Sequence, residues 1–253
     1  MRQATRSTAA RHESGCLVCG RELEYRQQPV QATCVYCGAS ADTYVNCPEG
    51  HYVCDDCHRA DALALIRKIC TTSREKDPLA LANLIMQHPV VAMHGPEHHA
   101  LVPGVIACTY RNITGELTLD EVEEAINRGA TIPGGTCGHF GACGAGLGTG
   151  AAMSVIEGTT PLSKESWGRA NAITARALQS IAAQGGPRCC KRCTWIALGA
   201  AMDFIEEIKG IRFPRSSTQG RCEHSRRNRQ CQGAACPFNR NFIGARGGSL
   251  GKS

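Results

Sequence analysis

The chain has 253 residues, enough for one sizeable core and a small additional module. Aromatic residues make up only 5%, which favours closely packed helices over a β-sandwich. The formal net charge is +6, with the arginines concentrated near the C-terminus, and no apolar run reaches the roughly 18 residues of a membrane helix. We therefore expect a mainly α-helical protein that neither spans nor binds a membrane.

Residues 1–14 are polar and basic and lack the apolar segment of a secretory signal, so we expect a cytoplasmic protein. In a reducing compartment, closely spaced cysteines are more typical of metal ligands or redox groups than of disulfides. The 17 cysteines are interpreted in that way. Residues 1–14 should be disordered, and the glycine-rich residues 243–253 should form a flexible tail.

Closely spaced metal ligands mark residues 15–60 as a small zinc-binding module, of zinc-ribbon or treble-clef type. Two Cys-x2-Cys pairs are each followed by a glycine, as in a knuckle turn, and a Cys-x3-His-x2-Cys-x2-Cys group follows them. Eight ligands suffice for two zinc ions, paired either sequentially or in an interleaved order. A single zinc is the alternative, with Cys47 and His51 as bystanders. The eight candidates are Cys16, Cys19, Cys34, Cys37, Cys47, His51, Cys54 and Cys57.

Residues 61–242 predict a helical, cysteine-rich domain. Asp77 and Thr118 are typical helix N-caps, the second within a capping box. Ser163 is expected to cap another helix, and Pro187 to occupy the first position of the next one. After Cys143, a run of small residues predicts a helix whose surface would let a neighbouring helix approach closely.

Two thiol-rich segments, residues 132–150 and 185–193, are expected to build one site. The first is rich in glycine, and the second begins a helix whose free amides and neighbouring cations stabilise thiolates. We expect the Cys143 sulfur to lie near at least one thiol of the second segment, where cysteines four apart would share a helix face. The candidate catalytic residues are Cys137, His139, Cys143, Cys189, Cys190 and Cys193.

Further candidates flank these segments. Three histidines and Glu97 lie close together on a Pro/Gly-framed loop or helix start, where they could bind metal or handle protons, although an exposed polar turn explains them equally well. Three cysteines in the arginine-rich C-terminal segment have the spacing of metal ligands. The candidate substrate-binding residues are His94, His98, His99, Lys191 and Arg192, and the C-terminal metal candidates are Cys222, Cys231 and Cys236.

Several of these motifs carry a resemblance. Residues 47–58, 93–112, 131–161 and 185–193 resemble an uncharacterised cysteine-rich domain family of bacteria and archaea, which has no assigned reaction. The stretch that begins at Cys143 is similar to the Cys-Gly-Ala helix of small redox-active cysteine proteins, which implies redox or iron–sulfur chemistry. Residues 47–57 resemble half of a cross-braced RING or treble-clef zinc module.

The sequence thus favours a metal–thiolate protein, possessing zinc and an iron–sulfur cluster, with redox or sulfur-transfer chemistry at the Gly/Cys-rich site. A small molecule or RNA would be the substrate, and a protein would donate electrons. The alternative is a zinc-stabilised module that binds nucleic acid or protein and has no catalysis.

Overall fold

A computed structural model describes residues 16–54, 57, 61–215 and 222–242, without the side chains of Tyr25 and Tyr44. The predicted disordered N-terminus and flexible C-terminal tail lie outside these residues. The fold is mainly helical, as the sequence predicts, and its one sheet in the described residues is a hairpin. In the described part of the chain, no helix has the length and apolar character needed to cross a membrane.

The hairpin forms the N-terminal module. Strands β1 (Glu24–Thr33) and β2 (Ser40–Asn46) pair antiparallel, with an irregular register in the first half of β1. Glycines with positive φ follow the first two cysteine pairs, at Gly20 and Gly38, as expected for knuckle turns. The first cysteine pair therefore precedes β1, the second pair lies in the turn between the strands, and the remaining ligands follow β2.

Eight helices follow in the described residues. They are α1 (Ala62–Thr72), α2 (Pro78–Gln87), α3 (Glu97–Thr114), α4 (Leu119–Ala130), the short α5 (Thr136–His139), α6 (Gly144–Ile156), α7 (Glu165–Ala182) and α8 (Cys190–Lys209). Two single 3-10 turns lie in residues 222–242. The Asp77 carboxylate accepts from the amides at the start of α2, and Thr118 forms the predicted capping box at the start of α4.

Helix α6 lies between α3 and α7 and also packs against α4 and α8. Its small residues permit this arrangement. A Cβ added at Gly150 would lie 2.0 Å from the Thr174 hydroxyl of α7, and one at Gly148 would lie 2.8 Å from Pro103 of α3. Neighbouring helices therefore contact the α6 backbone directly, as the run of small residues predicts.

The hairpin module is packed against the helical domain. Tyr36 is buried and stands edge-on to the ring of His88 at the end of α2, with centroids 4.6 Å apart. Cys34 and Cys57 belong to the same buried cluster as the core side chains of α1 and α2. The metal-ligand residues of the module thus lie against the helical core.

Two predicted helix starts were wrong. Ser163 is not the N-cap of α7, which begins at Glu165 after Lys164; its hydroxyl instead accepts from the Thr160 amide in the preceding turn. Pro187 does not begin α8, because Cys189 is still extended and serves as the N-cap. Serine and proline also favour turns, and in this protein Ser163 and Pro187 lie in the turns that precede the two helices.

Replacing Gly129 of α4 with alanine should lower stability. A Cβ there would lie 2.4 Å from the His99 carbonyl oxygen and 2.7 Å from the Ala100 Cα, both backbone atoms of α3. Overpacking of this kind costs about 1–3 kcal/mol. Thermal unfolding followed by circular dichroism measures the change.

The matched control is Gly199→Ala in α8, where an added Cβ meets no heavy atom within 4 Å. Alanine is the better helix former by up to about 1 kcal/mol, so this variant should unfold at the same or a higher temperature. A Gly129→Ala variant at least as stable as Gly199→Ala would contradict the packing described.

Candidate functional site

Two groups of metal ligands lie in the N-terminal module. In each group, the candidate ligand atoms all lie within 4.8 Å of one another. The pairing is interleaved: residues before β1 join residues after β2 in one group, and residues of the turn between the strands join later residues in the other. The first group is Cys16, Cys19, Cys47 and His51, and the second is Cys34, Cys37, Cys54 and Cys57.

The distances within the groups suit a single ion in each. The sulfur atoms of Cys19 and Cys47 are 3.5 Å apart, and the Cys47 sulfur is 3.6 Å from the His51 Nδ1. In the other group, the sulfurs of Cys37 and Cys54 are 3.6 Å apart. A tetrahedral ion with metal–sulfur bonds of about 2.3 Å places its sulfur ligands roughly 3.8 Å apart. Both groups therefore fit a four-coordinate metal.

Backbone amides support the sulfurs in these groups. The amide two residues after Cys16 donates to its sulfur at 3.4 Å, and the amide two residues after Cys47 does the same at 3.4 Å. Such N–H···S contacts offset the negative charge of a metal-bound thiolate and fix its direction. Each cysteine is thus held in position by its own turn.

The helical domain contains a cavity of about 580 Å³ that both thiol-rich segments line. The glycine-rich segment contributes Cys137, His139 and Cys143, and the second segment contributes Cys190 and Cys193. His98 and His99, from the first turn of α3, complete the polar part of the wall. The opposite part is apolar, and it includes two side chains from the last turns of α7, Leu178 and Ile181.

Cys143 and Cys193 both line this cavity, and their thiols interact with each other. Cys143 is the N-cap of α6, and Cys193 lies one turn into α8. The hydrogen bond from Cys193 lowers the pKa of Cys143 to about 6, with further help from the amides of Ala145 and Gly146. The same hydrogen bond raises the pKa of Cys193. At neutral pH the pair is therefore a Cys143 thiolate that accepts a hydrogen bond from the Cys193 thiol.

A histidine is fixed beside this thiolate. The His99 Nδ1 donates to the Ile132 carbonyl oxygen at 3.0 Å, so the ring orientation is set by the chain that leads into the glycine-rich segment. A Cβ added at Gly144 would lie 2.4 Å from the His99 Nε2. The ring can occupy this position because residue 144 has no side chain, and its charge interaction lowers the pKa of Cys143 further.

His98 is a neutral group in the cavity wall. It is 1% exposed, and its Nδ1 donates to the Gly95 carbonyl oxygen at 3.1 Å. Burial, aided by the charge of Lys191, lowers its pKa well below the usual value. Its buried Nε2 has no hydrogen-bond partner in the described structure and can accept a hydrogen bond.

The remaining candidates of the second segment lie in different places. Burial raises the pKa of Cys190, which lines the cavity, to about 11. Cys189 does not line it and instead accepts from the Asn228 side chain at 3.6 Å. The expectation that Cys189 and Cys193 share a helix face was wrong, because Cys189 precedes the helix and its extended backbone turns the sulfur elsewhere.

The candidate substrate-binding cations are buried. Lys191 lies away from the cavity and donates to the carbonyl oxygens of Met86 and Val91, each at 3.2 Å. Burial lowers its pKa to about 8. Arg192 borders the cavity and donates to the carbonyl oxygens of Gly185 and Pro187. Both side chains hold main-chain segments together.

Other candidates lie on either side of the cavity. Cys137 and His139 are exposed on its rim, both in the short helix α5. The His94 Nε2 is 3.1 Å from the Asn228 Oδ1, outside the cavity. Burial raises the pKa of Cys222, which interacts electrostatically with Cys231, Cys236 and Cys189.

Three C-terminal arginines pair within the chain. Arg212 contacts Glu206 at 2.8 Å, Arg215 contacts Asp203, and Arg240 contacts Glu223 at 3.4 Å. These carboxylates reduce the positive charge available to nucleic acid. Two further arginines of this segment, at positions 221 and 246, lie outside the described residues.

Sequence reasoning missed two contributions to the site. Gly144 was assigned only to the small-residue helix after Cys143, and its further role in admitting the His99 ring was not predicted. The apolar wall from α7 was assigned only to helix packing; the glycines at the end of α7 signal that this helix ends beside the second thiol segment.

Comparison with known proteins gives one match. Residues 66–239 match the model of a family of unknown function, DUF5714, and since this covers more than half of the chain, the protein belongs to that family. No curated protein and no solved structure matches the chain. The match includes the whole thiol cavity but begins after the hairpin module and its two metal-ligand groups.

Replacing Cys34 with serine should remove one of two bound metal ions, because it leaves its group with three thiolates. Metal analysis of the purified full-length chain measures this, and limited proteolysis should show cleavage within residues 16–57. Cys137→Ser is the matched control, since Cys137 is exposed and belongs to neither group. Unchanged metal content in Cys34→Ser would show that the ligand set is wrong.

Alkylation of Cys143 by iodoacetamide should increase with pH about a midpoint near 6 and then level off, because the thiolate is the reactive form and the pKa of Cys143 is lowered to about 6. Peptide mass spectrometry measures the reaction at this residue. Removing the donor in Cys193→Ala should move the midpoint upward, toward the value of about 8.5 of a free thiol.

Cys190→Ala serves as the control for the alkylation series, since Cys190 lines the same cavity without donating to Cys143 in the described contacts. Its midpoint should remain that of the unaltered protein. A midpoint above about 8 in the unaltered protein would contradict the thiolate assignment.

Proposed function

We propose that this member of family DUF5714 is a cytosolic thiol–disulfide redox protein, in which Cys143 is the nucleophile and Cys193 the resolving thiol. The observation that carries this proposal is the hydrogen bond between the two thiols inside the cavity, which lowers the pKa of one and raises that of the other. A nucleophile and a second thiol within reach are what a dithiol redox couple requires.

The chemistry proceeds by two exchanges. The Cys143 thiolate attacks one sulfur of a substrate disulfide, which breaks the S–S bond, forms a mixed disulfide and releases the other half as a thiolate. Cys193 gives its proton to that thiolate and attacks the Cys143 sulfur, which releases the second half. Two electrons pass to the substrate, and the protein is left with a Cys143–Cys193 disulfide. A cellular dithiol or monothiol reverses these steps and restores the reduced form.

The surroundings favour a small substrate with anionic groups. A volume of about 580 Å³ lies within the range of small-molecule sites, and its wall is apolar on one side. Arg188, exposed at the rim, supplies positive charge for a carboxylate. The neutral Nε2 of His98 can accept a hydrogen bond from the substrate, and the fixed ring of His99 lies against the start of α6.

Zinc is the metal that we assign to both groups of the N-terminal module. Thiolate and imidazole ligands in closed, four-membered sets are typical of structural zinc, which contributes folding energy to a small domain. The two groups leave no position open for a substrate. The module therefore stabilises the hairpin and supports the adjacent end of α2, through the contact between Tyr36 and His88.

The dithiol accounts for the cavity better than one cluster that uses all five of its candidate cysteines. Cys137 is exposed on the rim, whereas Cys189 faces the C-terminal segment. A dithiol made of Cys143 and Cys193 does not require Cys137 or Cys189 to reach the same point. RNA as the substrate has less support, since Arg212, Arg215 and Arg240 already contact carboxylates, which leaves the exposed Arg226 and Arg229 among the described charges of this segment for phosphate.

The test is a redox titration of the full-length protein with oxidised and reduced glutathione, followed by mapping of the disulfides. We expect one Cys143–Cys193 disulfide, which both Cys143→Ser and Cys193→Ser abolish. Cys190→Ser is the matched control, because it alters a third thiol of the same cavity and should leave the disulfide intact. A disulfide between Cys143 and Cys190, or none that includes Cys143, would overturn the proposal.

A further inference from the structure

Four cysteines gather around the N-terminal end of α8, on the side away from the dithiol. Cys189 caps the helix, and three more belong to the segment 222–242 that lies over it. The Cys222 thiol interacts electrostatically with Cys189, Cys231 and Cys236, and Cys189 interacts in turn with Cys236. Cys189 and Cys236 are buried, while the other two are partly buried. One helix end and one irregular segment therefore bring four thiols together.

Contacts with α8 position this segment. The Trp195 ring packs against Phe238 with centroids 4.9 Å apart, and the Gln232 amide donates to the Gly186 carbonyl oxygen at 2.6 Å. Residues 222–242 otherwise contain only two 3-10 turns. A segment of this length without regular structure is usually held by a disulfide or a metal centre.

Amide donors face the sulfurs of these cysteines as they do in the metal groups of the hairpin module. The Gly233 amide donates to Cys231 at 3.4 Å, with the same two-residue separation and the same distance as at Cys16 and Cys47. The amide of His224, also two residues on, interacts with the Cys222 sulfur, and the Asn228 side chain donates to Cys189 at 3.6 Å. Such donors are typical of metal-bound thiolates.

The charges nearby also call for an anionic group. Lys191 and Arg192 are 1% and 3% exposed, and the hydrogen bonds defined for them go to oxygens that carry no formal charge. Glu97 interacts electrostatically with Lys191, and it is the carboxylate identified near this pair of cations. Burying cations in this way is costly unless negative charge lies close by. A cluster with four thiolate ligands carries net negative charge, so it would offset this cost at the start of α8.

The four thiols at the start of α8 do not form as close a group as the ligands of the hairpin module. In the hairpin module the ligand atoms of each group lie within 4.8 Å of one another, and among the described residues no three of these four cysteines do so. A single tetrahedral ion needs the shorter spacing, whereas the cysteine sulfurs around a four-iron cluster are roughly 6–7 Å apart.

We propose that Cys189, Cys222, Cys231 and Cys236 bind a [4Fe–4S] cluster. Each thiol loses its proton and ligates one iron, and the amide donors stabilise the sulfurs. The site is separate from the dithiol, which uses none of these cysteines, so iron binding does not depend on the redox role of Cys143 and Cys193.

The experiment uses the full-length chain, produced with added iron and purified without oxygen. We expect about four iron atoms and four acid-labile sulfides per chain, with absorbance near about 400 nm. Cys222→Ser, Cys231→Ser and Cys236→Ser should each lose most of the iron and sulfide. Cys137→Ser, an exposed cysteine outside the set, is the control and should retain both.

Alkylation of the unaltered protein provides a second measurement, which does not depend on whether the variants fold. In the unaltered anaerobic protein, these four cysteines should resist alkylation until a chelator and an oxidant remove the iron, and should react afterwards. Zinc without sulfide in the anaerobic protein would overturn the proposal. Iron and sulfide that persist in Cys231→Ser and Cys236→Ser would also overturn it, as would free alkylation of the four thiols before iron removal.

Discussion

The close approach of backbones around α6 is the constraint on which the helical domain depends. At Gly148 and Gly150, a methyl group would collide with α3 or α7, so both neighbours lie directly on the α6 backbone. Gly144 extends this contact to the first turn, where it admits the His99 ring. The same packing sets the position of Cys143 at the N-cap, opposite the first turn of α8. The position of the thiol pair thus depends on the absence of side chains at Gly148 and Gly150, several residues away from Cys143.

Most of the cysteines lie in three environments, which differ in the spacing and the pKa of their thiols, while Cys70 and Cys108 are buried in the helical core. Interleaved loops of the hairpin module bring four ligands close enough for one ion. In the cavity, two thiols share a proton and differ in pKa. At the start of α8, four thiols face amide donors and buried cations at a wider spacing. The family match covers the last two environments and not the first.

Local signals made much of the fold predictable. Asp77 and Thr118 cap their helices as expected, because a cap depends on residues within one turn. The helical domain, the hairpin ligands and the meeting of the two thiol-rich segments also followed from spacing and composition. Ser163 and Pro187 misled the prediction, since both residues serve turns as readily as helix starts.

What the sequence left open depends on long-range packing. The interleaved ligand pairing requires the hairpin register, which Cys-x2-Cys spacing does not encode. Cys189 lies apart from Cys193 because α8 begins only after Cys189. Cys189 instead contacts Asn228, which is 39 positions away in the sequence. Periodicity along one segment carries no information about such partners.

Trapping of the first exchange tests the dithiol most directly. Cys193→Ala would be incubated with oxidised glutathione, and intact mass and peptide mapping would locate the adduct. The account predicts a stable glutathione adduct on Cys143, whereas the unaltered protein ends as an internal disulfide without an adduct. An adduct on Cys137 or Cys190, with Cys143 unmodified, would contradict it.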